Sequence, residues 1–259
     1  MNKIGKNVTI FDDVILGDNV VIGDDCYIDH NCIIRDNVEI GANSIIGAGS
    51  IIGEYLSDFY DDKQNKEHPL KIGENAIIRS GSIIYGDSKI GDNFQTGHRV
   101  TIREKSDIGN NVRIGTQSDI QGNCVIEDYV SLHSDVFVAM YSHIKKYAWI
   151  FPHVVLTNDK TPPSDKLEGV TIEQYVCVAA NSTVISGVKV GKNALVGAGS
   201  VVTKDVEEEM CVVGNPAKEV CKVTDIKNKE TGESNYPWPK HFDRGMPWAD
   251  MGFDEWKED

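Results

Sequence analysis

The chain has 259 residues, 26 of them basic and 40 acidic, for a net charge of −14. That charge argues against unassisted binding to nucleic acid or an anionic membrane, so any phosphate-bearing ligand must find a local basic site. No run approaches the roughly 18 uninterrupted apolar residues of a membrane span, and the start MNKIGKNVTI lacks the apolar core of a secretion signal; the expectation is a soluble, cytoplasmic chain.

From the first residues onward the sequence has a period of six. Ile4, Ile10, Leu16, Ile22, Ile28, Ile34, Ile40, Ile46 and Ile52 form one register of nine aliphatic positions. A second register of fifteen runs from Ile72 to Leu156 in steps of six, with Thr96 its one non-aliphatic member, and a third of six runs from Ile172 to Val202. Four residues after most of these stands a small or β-branched residue, such as Val20, Cys26, Ser44, Ser82, Val112, Ser118 and Ser200; Phe94 breaks the size rule. A six-residue period fits neither a 3.6-residue helix nor a heptad. It suits a short strand with two inward residues followed by a bend, and the bends carry Gly, Asp and Asn, which tolerate positive φ. The six cysteines, at 26, 32, 124, 177, 211 and 221, show neither metal-ligand pairing nor the density of a disulfide scaffold, and are expected to be reduced and mostly packing.

This pattern resembles the hexapeptide-repeat, left-handed parallel β-helix proteins, in which three hexapeptides complete one coil. The resemblance implies an all-β fold of about ten coils, about 48 Å long at roughly 4.8 Å per coil. The register lengths are all divisible by three, so the interruptions at Glu54 to Leu70 and Asp159 to Gly169 are expected to leave the coil at one and the same corner. Residues 1–206 are expected to be the coil, with loops at 54–70 and 159–169, and residues 207–259 a capping extension and tail. The tail segment YPWPKHFDRGMPW and Trp256 supply three tryptophans that need a surface, for which a neighbouring subunit is the expectation; the linker KNKETGES is expected to be exposed.

With three hexapeptides per coil, residues 18 apart stack. One set of outward positions, Asp92 and Asn93, Asn110 and Asn111, Asp128 and Tyr129, Lys145 and Lys146, reads as solvent. The next side carries Arg99, Gln117, Asp135 and His153 in one column, with His98, Thr116, Ser134 and Pro152 beside it. A ladder of guanidinium, amide, carboxylate and imidazole suits either an interface whose polar groups satisfy one another or a small-molecule cleft. The closeness of Asp135 and His153 to the second loop, long enough to act as a lid, favours chemistry there.

Four segments, FPHVVLTNDKTPP (151–163), GVTIEQYVCVAANSTVISGVKVG (169–191), VGAGSVVTKDV (196–206) and VVGNPAKEV (212–220), resemble the nucleotide-linked (dTDP or UDP) amino-deoxysugar N-acyltransferases. The resemblance covers residues 96–220. It implies a homotrimer with active sites between subunits, acetyl-CoA or another acyl-CoA as donor, no metal, and a role in surface polysaccharide biosynthesis. It places the donor's pantetheine beside Ala179, Ala180, Gly197 and Ala198, and its phosphates near Lys204 and Lys218. The hexad LHSDVF (132–137) stands where relatives carry an IQNNVS-like hexad, with His133 for the glutamine and Asp135 for the amide. Asp135 is then expected to bind and help deprotonate the amine, with His133 and His153 as further catalytic candidates and His98, Arg99, Gln117, Asn158 and Asp159 as substrate contacts.

Three other readings compete. A zinc carbonic anhydrase of this fold needs two histidines five residues apart; Val138 follows His133 at that spacing and Ala148 follows His143, so no pair fits. An O-acyltransferase for a sugar or antibiotic hydroxyl needs a histidine base, which His98, His133 or His153 supplies. A non-enzymatic scaffold leaves the VAAN and VGAGSVVTKDV segments unexplained. Because the register starts at Ile4, a preceding nucleotidyltransferase or dinucleotide-binding region is not expected.

Overall fold

The structure, a computed structural model, describes residues 1–256. It is a left-handed parallel β-helix. Strands of two to six residues are sorted onto three sheets, of ten, twelve and ten strands, parallel except for one terminal hairpin. The first face begins with Lys3–Ile4, the second with Thr9–Ile10 and the third with Ile15–Leu16. The two additional strands of the second face are an antiparallel hairpin, Met210–Gly214 and Ala217–Lys222, whose first strand pairs with Leu195–Val196. Ten coils therefore stack as the period requires.

The register confirms the 18-residue step. Ile4 pairs with Ile22 and Ile22 with Ile40, and the step then lengthens once, Ile40 pairing with Ile72, and once more, Ile144 pairing with Ile172. Both insertions lie between a third-face strand and the next first-face strand, after Ile51–Glu54 and after Val155–Leu156. They leave from one corner, as the divisible register lengths imply.

Nearly every hexad turns its corner on a residue with positive φ, three places after the inward aliphatic; Asp13, three places after Ile10, is an exception. Early coils use Asn7, Asn19, Asp25, Asn31, Asn37 and Asn43, all at φ between 54° and 59°. Asn and Asp are the non-glycine residues least penalised there. Later coils place Arg99, Gln117, Tyr129, Asp135, Tyr147, His153 and Tyr175 at the same corners, where a large L-side chain costs about 1–2 kcal/mol.

The interior is a continuous aliphatic stack, with Ile28, Ile46, Ile78, Ile102, Ile120 and Ile150 all fully buried. Serines four places after the aliphatic are also buried, and their hydroxyls stitch coils together. Ser118 Oγ donates to the carbonyl of His133 at 3.0 Å and accepts from the Val136 amide at 3.2 Å; Ser182 does the same for Gly197 and Ser200. A buried hydroxyl satisfied in this way carries no desolvation penalty. Five of the six cysteines are buried and all six are free thiols.

The depth of the aliphatic stack sets its sensitivity. Ile120→Ala, at a site with no exposure, is expected to lower unfolding free energy by about 2–5 kcal/mol. Ile15→Ala, at a strand position 60% exposed, is expected to change it by less than about 0.5 kcal/mol. Denaturant midpoints of the two variants check the contrast; equal shifts would contradict the inward assignment.

Candidate active site

Arg99, Gln117, Asp135 and His153 do form one column, but it runs along the corner between the second and third faces rather than across a face. Each has φ between 55° and 60°. The amide of Gln117 bonds the carbonyl of His98, that of Asp135 the carbonyl of Thr116, and that of His153 the carbonyl of Ser134, all at 2.9–3.2 Å. Arg99, Gln117 and His153 are exposed and Asp135 half-exposed. His98, Arg99, Gln117 and Thr116 line a shallow hollow of about 370 Å³ with Ala48 and Ser80. The loop at Asp159 leaves from the next corner, at the other end of strand Val155–Leu156, so it does not close over Asp135 and His153.

That loop is tied to itself. Asp159 accepts from the Thr161 amide at 2.9 Å, and from the Ser164 amide and hydroxyl at 2.8 Å each. Desolvation opposes them, but together these bonds outweigh it and hold the Asp159 carboxyl below its usual range. An isolated bridge pairs Asp159 with Leu167, and the Glu168 amide bonds the Asn158 carbonyl at 2.8 Å. Asp159, read from sequence as a substrate contact, spends its carboxylate on shaping the loop.

The tail departs furthest from expectation. Its tryptophans pack on their own chain, across the second face. Trp248 is fully buried and Trp238 nearly so, against Tyr147, Tyr175, Cys177 and Met246. Trp238 Nε1 donates to the Tyr175 carbonyl at 2.9 Å, and Trp248 Nε1 to the Phe242 carbonyl at 3.1 Å. The platform for them is a tyrosine ladder at the first corner. Tyr129 stacks on Tyr147 at 5.4 Å and Tyr147 on Tyr175 at 5.0 Å. Each such pair is worth about 0.5–1.5 kcal/mol beyond burial, comparable with the corner strain of a tyrosine at positive φ. The column containing Tyr129 is therefore a docking platform, not the solvent column its Asp and Asn members suggest. Farther up that coil edge, Lys145 is held by Glu173 at 2.9 Å.

Between tail and second face lies a slot of about 410 Å³. Its floor comes from two outward columns of the coil, Trp149, Cys177 and Leu195 in one and His133, Phe151 and Ala179 in the other. Tyr236, Trp238 and Phe242 of the tail roof it. The His133 ring stacks on Phe151 at 4.8 Å with 12° between planes, and lies 5.9 Å from Trp149. His133 Nε2 and Trp149 Nε1 are both buried and neither has a hydrogen-bond partner. Burial lowers the His133 pKa below its ordinary value, so the imidazole is neutral near pH 7.

His133 thus does not join the Asp135 column; two residues separate a strand-face position from a corner. The sequence carried the signal for both slot and ladder. Counting the ten inserted residues of the second loop, Tyr129, Tyr147 and Tyr175 fall in one column, and Trp149, Cys177 and Leu195 in another. What no period supplied was the tail that covers them. Asp119 on the third face, which the 18-residue count sets in a column with Thr101, Phe137 and Val155 adjacent to the Asp135 column, has its Oδ1 buried and unpaired while Gln121 donates to Oδ2 at 2.6 Å. Burial, opposed by that bond and by Arg103, raises its pKa.

Of the residues expected to hold a donor, Ala179 lines the slot and Gly197 stands one coil beyond it in the same column. A Cβ at Gly197 would come within 2.5 Å of Val213 Cγ1, so a side chain there would have to displace the Val213 methyl of the hairpin. Lys204 and Lys218 are brought together. Both line a recess of about 250 Å³ where the hairpin meets the last coil, together with Asp205 and Glu219. Ala180 and Ala198 belong to the neighbouring column at the second corner, where Gly199 N bonds the Ala180 carbonyl at 2.9 Å. Among the described residues no group of three His, Cys, Asp or Glu side chains is placed to hold a metal ion, and no helix is long and apolar enough to cross a membrane.

The winding, the corner chemistry and the register are those of a hexapeptide repeat, and the family model described as bacterial transferase hexapeptide (six repeats) matches residues 19–54 and 169–204. The "Putative acetyltransferase YJL218W" of Saccharomyces cerevisiae is 31% identical over 132 residues, half of this chain and 64% of that protein. The "Bifunctional protein GlmU" of Clostridioides difficile is 31% identical over 138 residues, 53% of this chain and 28% of that protein. The chain spans less than two thirds of the length of these curated relatives. Among solved structures, LpxA, a UDP-N-acetylglucosamine acyltransferase from Bacteroides fragilis, is similar over 85% of this chain and 70% of that one, at 21% identity and a TM-score of 0.44.

Two outcomes follow from the tail and the slot. Trp248→Ala is expected to speed amide hydrogen exchange across residues 236–256 by at least tenfold while coil amides keep their protection, since the tail alone loses its anchor. A ring-proton titration of His133 is expected to give a pKa below 6.5. The unfolded state then binds the proton more readily, so this residue's contribution to stability is full above about pH 6.5 and is lost as pH falls through the folded value; His133→Phe should flatten that slope.

Proposed function

We propose that the protein is an acyl-CoA-dependent acyltransferase acting on the amino group of a nucleotide-linked (dTDP or UDP) amino-deoxysugar, in the biosynthesis of a surface polysaccharide. The observation that carries this reading is His133, an imidazole kept uncharged by burial on the floor of an apolar slot that also carries Ala179. Acyl transfer to an amine needs a neutral proton acceptor beside the thioester, and a neutral imidazole is one. The relatives named as acetyltransferases support the reaction class.

In this reading the amine nitrogen attacks the thioester carbon, and a C–N bond forms as the carbonyl π pair moves to oxygen. His133 takes the amine proton. The C–S bond then breaks, the oxygen pair returns to remake the carbonyl, and the thiolate leaves with the proton from His133. Asp135, at the corner two residues on, binds the substrate's ammonium form, which gives its first proton to solvent before the attack, with His153 as a further contact. His98, Arg99 and Gln117 in their hollow hold the nucleotide part, the Arg99 guanidinium supplying charge for its phosphates. Ala179, Ala180, Gly197 and Ala198 leave the backbone open to the pantetheine arm, and Lys204 and Lys218 meet the donor's phosphates. A homotrimer completes each site from a neighbouring coil. The neutral imidazole serves a hydroxyl acceptor as well as an amine, so an O-acyltransferase is the second reading.

A thiol-release assay across nucleotide-linked amino sugars and their hydroxy counterparts tests the proposal. His133→Asn is expected to lower kcat by about 10²–10⁴-fold, and the acid limb of the wild-type pH profile to fall below pH 6.5. Asp135→Asn is expected to raise KM more than it lowers kcat. Full turnover in Asp135→Ala with the assembly intact would remove Asp135 from the site, and release with hydroxy sugars alone would favour the second reading.

A further inference from the structure

The slot beneath the tail is uncharged on every wall. His133 is held neutral by burial, and burial pushes both the Cys177 thiol and the Tyr236 phenol up to about 12. Its volume of about 410 Å³ falls within the roughly 300–1,000 Å³ of pockets that enclose small molecules. No lysine or arginine lines it among the described residues, so it offers no counter-charge to a carboxylate or phosphate.

Two atoms interrupt the apolar lining, the unpartnered His133 Nε2 and Trp149 Nε1. An indole N–H can only donate, and leaving such a group buried and unmatched costs about 1–3 kcal/mol. What the site lacks is therefore an acceptor attached to apolar bulk. A bridging water would answer the nitrogens but not the aromatic walls, which gain only from apolar atoms in contact with them. A charged ammonium, unlike the neutral amine that attacks beside His133, finds no carboxylate on any wall of the slot.

We propose that this slot binds a neutral acyl group longer than acetyl, its carbonyl oxygen accepting from Trp149 Nε1 and its chain lying between Trp149, Phe151, Trp238 and Phe242. As the seat of a transferable acyl group, this rests on the acyltransferase reading; as a binding site, it does not. Three properties of the slot converge on it: an apolar-lined volume of pocket size, absence of charge, and a buried donor awaiting an acceptor. The tail is then part of the site, because three of the slot's residues belong to it.

Calorimetric titration of the full-length protein with octanamide, octylamine and octanoate tests the binding claim. Saturable binding of octanamide is expected, with octylamine and octanoate at least tenfold weaker. Trp149→Phe, which keeps a ring but loses the N–H, should weaken octanamide about fivefold, in line with the loss of one neutral hydrogen bond. Ala179→Leu, which fills the floor, should weaken it more than tenfold. Absence of saturable octanamide binding overturns the proposal, and equal affinity in wild type and Trp149→Phe overturns the carbonyl assignment. A thiol-release comparison of octanoyl-CoA with acetyl-CoA separates the two claims. Preference for octanoyl-CoA, reversed by Ala179→Leu, supports the slot as the donor's acyl pocket, and preference for acetyl-CoA in both proteins overturns that role. Octanamide binding with no release from any donor leaves the slot standing and removes the transferase reading.

Discussion

Everything in this molecule depends on a backbone bend repeated every six residues. A residue at positive φ after nearly every short strand, commonly near +57°, turns the chain by one corner, and three corners bring residue n beneath residue n + 18. Once that geometry is imposed, inward aliphatics have no option but to stack, and outward residues become columns. The early coils meet the requirement with Asn and Asp at little cost. Where the later coils use tyrosine instead, the strain is offset by ring stacking, and the stacked rings become the platform for the tail. A local backbone constraint is in this way converted to tertiary structure.

The chemistry follows from where each column falls. Corner positions such as Arg99, Gln117 and Asp135 stay open to solvent and suit contacts with a charged, hydrated ligand. Face positions such as His133 and Trp149 are covered by the tail and lose their water. The same chain thereby presents a polar ridge and an apolar slot side by side, with His133 on one strand-end and Asp135 two residues away at the corner. The net charge of −14 leaves little long-range attraction for an anionic ligand, so any such ligand would depend on short-range contact with cations such as Arg99 or the Lys204/Lys218 pair.

How much of this the sequence discloses depends on whether a residue belongs to the repeat. The period of six gives the inward stack, the number of coils and the shared corner of the two insertions, because each is a matter of counting along one register. Counting also places Asp135 above Gln117, but it does not say that the column is a corner; positive φ at a glutamine or histidine has no signature in composition. The ladder Tyr129, Tyr147, Tyr175 was accessible by the same count once the ten-residue insertion is subtracted, yet its neighbours Asn93 and Asn111 read as solvent. The tail lies outside any register. Trp238 bonds Tyr175, 63 residues away, and nothing in YPWPKHFDRGMPW names that partner. A subunit surface and the chain's own second face offer the same apolar contact, and only folded coordinates distinguish them.

The claim that most depends on is that the tail closes over the coil of its own chain. A crystal structure of the assembled protein tests it most directly. The account predicts Trp248 buried against Tyr147 and Tyr175 of the same chain, with Trp238 and Phe242 roofing His133 and Trp149. A structure in which residues 236–256 reach across to a partner's coil, leaving their own second face bare, would contradict it.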